Sequence, residues 1–281
     1  MSNSEGDWDS EELERPVPVS DTAPEGKQVY IRVRDLHKHF GRRHVLRGID
    51  LDVYHGETLV ILGISGSGKT TFIKHLMGSA RIESGDIRVG DFDLRTMRGD
   101  DWRAYRSRMG VVFQHAALLG SLTILRNVGL PLIEEERVPL DEVRERVIRA
   151  LRRVFLPAEE ILELKPASLS GGMRKRVGIA RAIIREPDLL LYDEPTTGLD
   201  PVTVSGVNEL MRDLQERLGV TSIVITHDLD AAFSVADRIA MLYKGRIIAL
   251  DTPQRLREND HPVLRQLLEA EVRGPLTEGY V

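Results

Sequence analysis

Three short segments of this 281-residue chain carry residues whose types and spacing suit chemistry on phosphates. The first, Gly63-Ile64-Ser65-Gly66-Ser67-Gly68-Lys69-Thr70, follows the apolar run Leu59–Leu62 and precedes a helical pattern starting near Thr70. Glycines let successive backbone N–H groups turn inward toward phosphate oxygens, and the helix start adds its positive dipole. Lys69 supplies charge to the outer phosphates, and the Thr70 hydroxyl can reach a magnesium ion. Gly63, Ser65, Gly66, Ser67, Gly68, Lys69, Thr70 and Thr71 are therefore expected to hold a nucleoside triphosphate. The plainer alternative is a glycine-rich turn that only links strand to helix.

The second segment is Leu189-Leu190-Leu191-Tyr192-Asp193-Glu194, an apolar strand ending in two carboxylates. In an α/β sheet this is the edge where ligands bind. There Asp193 can hold the magnesium shell, while Glu194, ionised at neutral pH, orients and polarises an attacking water. Standing alone, the two acids could merely cap the strand before the turn at Pro195. The third segment, Leu169-Ser170-Gly171-Gly172-Met173, opens a helical run to Arg185. Its hydroxyl and glycine amides make a second anion site, or serve equally as a plain N-cap. Two anion sites in one chain need one nucleotide shared between two copies.

The elements that must position these residues alternate. Short β-type runs occur at Val29–Val33, Ile49–Val53, Thr58–Leu62 and Ile87–Val89, then a helical stretch spans about Leu122 to Leu164. Beyond it come Leu189–Tyr192, a helix over Pro201–Leu218, Ser222–Ile225, a helix over Asp228–Val235, and Ile239–Tyr243. This is an α/β pattern with a mostly parallel, buried sheet interrupted by a helical insertion. Within the insertion, Arg144, Arg146, Arg149, Arg152 and Arg153 alternate with Leu140, Val143, Val147, Ile148, Leu151 and Val154, which reads as a solvated face over an apolar stripe. Net charge is −5 overall and −7 over residues 1–26, so the remaining body is nearly neutral, unlike most nucleic-acid binders. That acidic start holds three prolines and few large apolar residues; it is expected to be a disordered arm, dispensable for catalysis. At the other end Pro262 opens a helix with Val263, Leu264, Leu267, Leu268 and Val272 on one side, stopped by Gly274-Pro275. This stripe needs a surface, either its own domain or a second copy or accessory subunit.

The chain has no cysteine, which excludes disulfides, thiolate zinc sites and cysteine nucleophiles. Its longest apolar run is the five residues Ile239–Tyr243, so neither a membrane span nor a secretion signal is expected. His37 and His39 share a face but have no third ligand nearby, so they read as surface histidines.

From about Val29 to Asp251 these motifs resemble the nucleotide-binding subunit of an ABC transporter. The resemblance takes in Gln114 within Val112-Phe113-Gln114, the turn Thr197-Gly198-Leu199-Asp200, and His227 within Ile225-Thr226-His227-Asp228. It implies a P-loop NTPase fold of the ABC type, with an antiparallel β subdomain beside the parallel core and a helical subdomain over about 115–170. It also implies an ATPase domain over 27–251 and a helical extension over 252–281. By the same resemblance Gln114 senses Mg2+ or the attacking water, His227 contacts the γ-phosphate, and Asp200 lies at the dimer interface. Ser170, Gly171 and Gly172 would face a nucleotide held by the other copy. Phe40 falls where the family places an aromatic that stacks on adenine; core burial is the competing reading.

Three features narrow the resemblance: Met173 where glutamine is usual, the segment Phe113–Thr123 leading into Asn127–Leu132, and the Pro262–Val281 extension. Together they are similar to the ATPase of Mla-type, MCE-associated systems that move phospholipids or related lipids across the bacterial envelope; Leu119 departs from that pattern, where phenylalanine is frequent. The implied cofactors are ATP and Mg2+. The implied partners are a second copy, a separate transmembrane permease, an MCE-domain protein and a small STAS-domain protein, with no nucleic acid. The implied location is the cytoplasm, peripheral on the inner face of the membrane. An importer ATPase for a small polar solute and a soluble ABC ATPase of DNA repair or translation are the alternatives. Replacing Lys69 by alanine should weaken ATP binding by about 100-fold and abolish turnover with it, read by titration with a fluorescent ATP analogue and by phosphate release.

Overall fold

The computed structural model describes residues 13–16 and 26–277, which build two sheets flanked by helices. The first sheet is antiparallel, in the order β2-β1-β4-β5, and comprises β1 (Val29–Phe40), β2 (Arg43–Tyr54), β4 (Ser84–Val89) and β5 (Phe92–Asp93). The second has six strands in the order β10-β9-β3-β8-β7-β6. Its members are β3 (Thr58–Leu62), β6 (Met109–Val112), β7 (Leu189–Asp193), β8 (Thr221–Thr226), β9 (Arg238–Tyr243) and β10 (Arg246–Asp251). All its pairings are parallel except that of β10 with β9.

The near-continuous apolar strands follow from burial on both faces. Side chains alternate across a strand, and the two cores divide accordingly. Leu59 and Ile61 of β3, Leu189 and Leu191 of β7, and Ile223 and Ile225 of β8 belong to the core shared with the antiparallel sheet. Val60 and Leu62, Leu190 and Tyr192, and Val224 belong to the core shared with the helices. Parallel register, with Leu62 opposite Thr226 and Asp193 opposite Ile225, brings the carboxyl ends of these strands to one edge.

The helices are α1 (Lys69–Leu76), α2 (Asp100–Ser107), α3 (Ile124–Glu134), α4 (Leu140–Arg153), α5 (Ala158–Ile161), α6 (Gly171–Ile183), α7 (Pro201–Leu218), α8 (Leu229–Val235), α9 (Pro253–Arg257) and α10 (Pro262–Glu269). The helical stretch expected over 122–164 is divided among α3, α4 and α5, with Pro139 and Pro157 immediately before the later two. On α4, Val143, Val147 and Leu151 are fully buried, whereas Leu140, expected on the same stripe, is exposed at the first turn. The arginine face is largely neutralised: Arg144, Arg146, Arg152 and Arg153 pair with Glu163, Glu142, Glu159 and Glu186. Gly129 of α3 lets α4 approach closely, since a Cβ there would lie 2.5 Å from Val143 Cγ1. No helix among the described residues is long and apolar enough to cross a membrane.

At the ends, one expectation is corrected and one of two open alternatives is observed. The acidic arm was expected to have nothing to dock. Leu13 is nonetheless 3% exposed within the helical-side core, and Glu14 pairs with Arg47 at 3.0 Å and Lys244 at 3.5 Å. One leucine and one carboxylate suffice because they meet a preformed apolar surface and two cations, with no periodicity required. The rest of the arm lies outside the described residues. The carboxyl-terminal stripe packs on its own domain: Val263 and Leu264 are fully buried, and Tyr243 donates its hydroxyl hydrogen bond to Pro275 O at 3.2 Å. Val272 alone of the stripe is left 75% exposed.

Glu57 clamps the two sheets. It is 3% exposed, accepts a bidentate pair from Arg238 of β9 at 2.6 and 3.1 Å, and accepts the Tyr54 amide at 2.7 Å. Arg238 also donates to Asp52 O, at 2.6 Å. Glu57→Ala would strand a largely buried guanidinium and should cost about 3 kcal/mol in denaturant unfolding, with ATP binding retained below the transition.

Candidate functional site

The edge formed by the strand ends carries a cleft of about 820 Å³. Its floor is the loop between β3 and α1, which packs directly on β9: a Cβ on Gly63 would lie 2.4 Å from Leu242 O, so only glycine fits. Gly66 and Gly68 adopt positive φ of 80° and 115°, conformations that curl the backbone around the cleft. Lys69 is 7% exposed and donates to Gly63 O at 2.6 Å and Ile64 O at 3.1 Å. Burial lowers its pKa, opposed by the charges of Glu194 and Asp193.

Gln114, just past β6, and Asp193 and Glu194, at the end of β7, face this loop across the cleft, as does His227, just past β8. Glu194 is held from several sides. Its carboxylate lies 2.9 and 3.0 Å from His227 Nδ1 and accepts from Thr197 Oγ1 at 3.2 Å. Its amide donates to Ile225 O at 2.9 Å, although its φ is +49°, a left-handed conformation for a non-glycine residue. With Nδ1 engaged, Nε2 is the imidazole nitrogen left for a ligand.

Phe40, at the end of β1, lines the same cleft and is 55% exposed, so the alternative of core burial does not hold. Of the residues expected at the nucleotide, Phe40, Gly63, Ser65, Gly66, Gly68, Lys69, Thr70, Thr71, Gln114, Asp193, Glu194 and His227 line the cleft. Ser67 sits within the loop.

Ser170, Gly171, Gly172 and Asp200 do not line the cleft, and the structure groups them elsewhere. Ser170 caps α6 by accepting the Met173 amide at 3.2 Å, and Asp200 caps α7 by accepting the Thr203 amide at 3.0 Å. The two caps adjoin: a Cβ on Gly172 would lie 2.6 Å from Thr203 Cγ2. Thr203 also donates its hydroxyl to Asp200 at 2.6 Å, which holds that carboxyl below its ordinary pKa.

Sequence reading missed Arg43, Val45, Ile64 and Leu267 on the cleft wall, and Lys175 behind it. Lys175 is 5% exposed and donates to the carbonyls of Gln114 and Glu194. Burial pushes its ammonium down to about 8 against the pull of Glu194 and Asp193. Its position one turn beyond Ser170 was a visible signal; nothing in the sequence places Leu267 of α10 beside the loop.

The residues fit a nucleoside triphosphate with magnesium. Lys69 and the curled backbone of Ser65, Gly66 and Gly68 line the cleft, a cation and a loop suited to phosphate oxygens. Thr70, Gln114 and Asp193 offer hard oxygen donors, and the Asp193 carboxyl is pushed up by burial and by neighbouring Glu194, negative charge that a cation would offset. No cluster of three or more His, Asp or Glu suited to a metal exists among the described residues, so phosphates and water would complete the magnesium shell.

The family model for the ABC transporter matches residues 46–197, more than half of the chain. The chain belongs to the ABC transporter family. It is an ABC ATPase, the ATP-binding subunit of a transporter. Among relatives, a probable ribonucleotide transport ATP-binding protein of Mycobacterium leprae is 36% identical over 88% of this cassette and 71% of its own length. A methionine import ATP-binding protein of Rhizobium etli is 41% identical over 78% of the cassette; the match covers 60% of that relative, less than two thirds of its length. A solved dimeric cassette in a post-hydrolysis state with ADP and Pi superposes with a TM-score of 0.72 at 31% identity, covering 79% of this chain and 98% of that one. A cassette from Clostridium perfringens, part of an ABC transporter complex, gives 0.75 at 31% identity, covering 85% and 94%.

Glu194→Gln keeps the volume and removes the carboxylate charge expected to polarise water. It should bind ATP within about threefold of the parent while hydrolysing it ~100-fold more slowly, a split that nucleotide titration beside phosphate release would read out.

Proposed function

We propose that this cassette is the engine of a transporter that moves phospholipids or related lipids across the bacterial envelope. The observation that carries the reading is the Met173 signature, joined to the Asn127 segment and the carboxyl-terminal extension, the combination that resembles Mla-type ATPases. Asn127 gives that segment a physical sense. Fully buried, it accepts the Leu119 amide at 2.7 Å and donates to Leu119 O, Leu122 O and Thr123 O, fixing the loop that follows Gln114. In this reading that loop meets a permease, so its shape is fitted to the partner that carries the cargo.

Hydrolysis uses the cleft in two halves. Lys69 and the loop amides grip the β- and γ-phosphates, Phe40 stacks on the adenine, and Glu194 orients the water with His227 steadying its carboxylate. Thr70, Gln114 and Asp193 would hold magnesium, which when bound neutralises charge on the phosphate oxygens. Ser170, Gly171, Gly172 and Asp200 of a second copy close the nucleotide from the opposite side, in keeping with their position away from the cleft of their own chain. The partners on this reading are a homodimer mate, a transmembrane permease, an MCE-domain protein and a STAS-domain protein, with the cassette peripheral on the cytoplasmic side.

A second reading, an importer ATPase for a small polar solute, draws support from the 41% identity to the methionine import protein. Affinity capture of the tagged full chain from detergent-solubilised membranes separates the two. Co-purification with a permease and an MCE-domain protein, followed by ATP-dependent phospholipid transfer between vesicles, is the expected outcome. A permease that instead stimulates hydrolysis with methionine and its binding protein would favour the importer.

A further inference from the structure

The ammonium of Lys175 reaches two segments far from it in sequence. It donates to the backbone carbonyl of Gln114, 61 residues away, and at 3.3 Å to that of Glu194, 19 residues away. At 5% exposure this cation sits where an apolar side chain of the same length would be cheaper to bury, so the bonds it makes must justify the charge. Both acceptors lie where regular pairing ends. Gln114 lies two residues past the end of β6, and Glu194 follows the last residue of β7 with its backbone at φ +49°. A left-handed non-glycine residue keeps that conformation only while its surroundings hold it. On Glu194 the amide is held by Ile225 of β8 and the carbonyl by Lys175 of α6. The same helix begins at the Ser170 cap, so α6 spans from the signature motif to the backbone of both cleft residues.

We propose that Lys175 is a positioning residue for hydrolysis, tying the helix of the Ser170-Gly171-Gly172 motif to the backbones of Gln114 and Glu194. Engagement of that motif by a nucleotide on a second copy then reaches the water-orienting carboxylate of the same chain through one rigid helix and one ammonium. The proposal rests on the reading of Glu194 as the water-orienting group.

The test uses the full-length chain with Lys175→Met, Lys175→Arg, Glu194→Gln and the double variant Lys175→Met/Glu194→Gln. Lys175→Met should lower kcat by roughly 10- to 100-fold while the KM and Kd for ATP stay within about threefold, because misplacing a catalytic group costs rate more than binding. Lys175→Arg, which keeps a cationic donor, should recover most of the rate. In the double variant the lysine substitution should add less than about twofold beyond Glu194→Gln, since a group acting through Glu194 loses its effect once the carboxylate is gone. A Lys175→Met enzyme with the parental kcat, or one whose loss persists in full in the Glu194→Gln background, overturns the proposal. Glu194→Gln measured alone tests the underlying reading separately: if it is slow while Lys175→Met is fast, only the lysine's role falls. Should Lys175→Met melt below the assay temperature, Lys175→Gln takes its place, judged by the same two comparisons.

Discussion

The parallel pairing of β6, β7, β8 and β3 is the constraint from which the site follows. Parallel strands in register end together, so Gln114, Asp193 and Glu194, His227, and the loop beginning at Gly63 reach one edge however far apart they lie in sequence. The pairing itself is held by burial on both faces: alternate residues of each central strand enter separate cores, and a one-residue slip would exchange the two sets. A side-chain clamp at Glu57 and Arg238, at the opposite, amino ends of β3 and β9, then fixes the antiparallel sheet, which carries Phe40, to this sheet. The geometry of the cleft is a property of the sheet before it is a property of the loops.

Electrostatics at the edge is arranged around charges that the chain does not balance alone. Two carboxylates stand together at the end of β7, opposed by two buried ammoniums, Lys69 in front and Lys175 behind. Burial disfavours the charged form of each of the three groups whose pKa is displaced: down for the lysines, up for Asp193. On the proposed reading, a triphosphate with its magnesium would bring anionic oxygens to Lys69 and a cation to Asp193, and binding would relieve the desolvation cost on both sides of the cleft.

What was legible in the sequence was local. The glycine loop, the strand ending in Asp193-Glu194 and the Pro201–Leu218 helix each declare themselves within a single short segment, through backbone permissiveness, a continuous apolar run and a capping side chain. What was not legible depends on contacts between distant segments. Leu267 joins the cleft wall because α10 packs into the helical-side core, Leu13 finds a core formed by residues far along the chain, and Lys175 reaches two carbonyls on separate loops. The helical stretch expected over 122–164 is helical in three pieces, the later two opening just after Pro139 and Pro157. Periodicity reports which face is buried and is blind to where the axis turns.

The placement of the signature motif gives the last step. Ser170 and Asp200 each cap a helix of their own chain, and Gly172 lets these two helix starts touch through Thr203. Two helix N-termini meeting at one point concentrate amide donors and positive dipole on one surface, where Ser170 takes the Met173 amide and the Asp200 carboxylate the Thr203 amide. The cleft, in turn, surrounds its phosphate loop on the sides made by β6, β7 and β8. On the proposed reading, each surface supplies one side of a nucleotide shared by two copies.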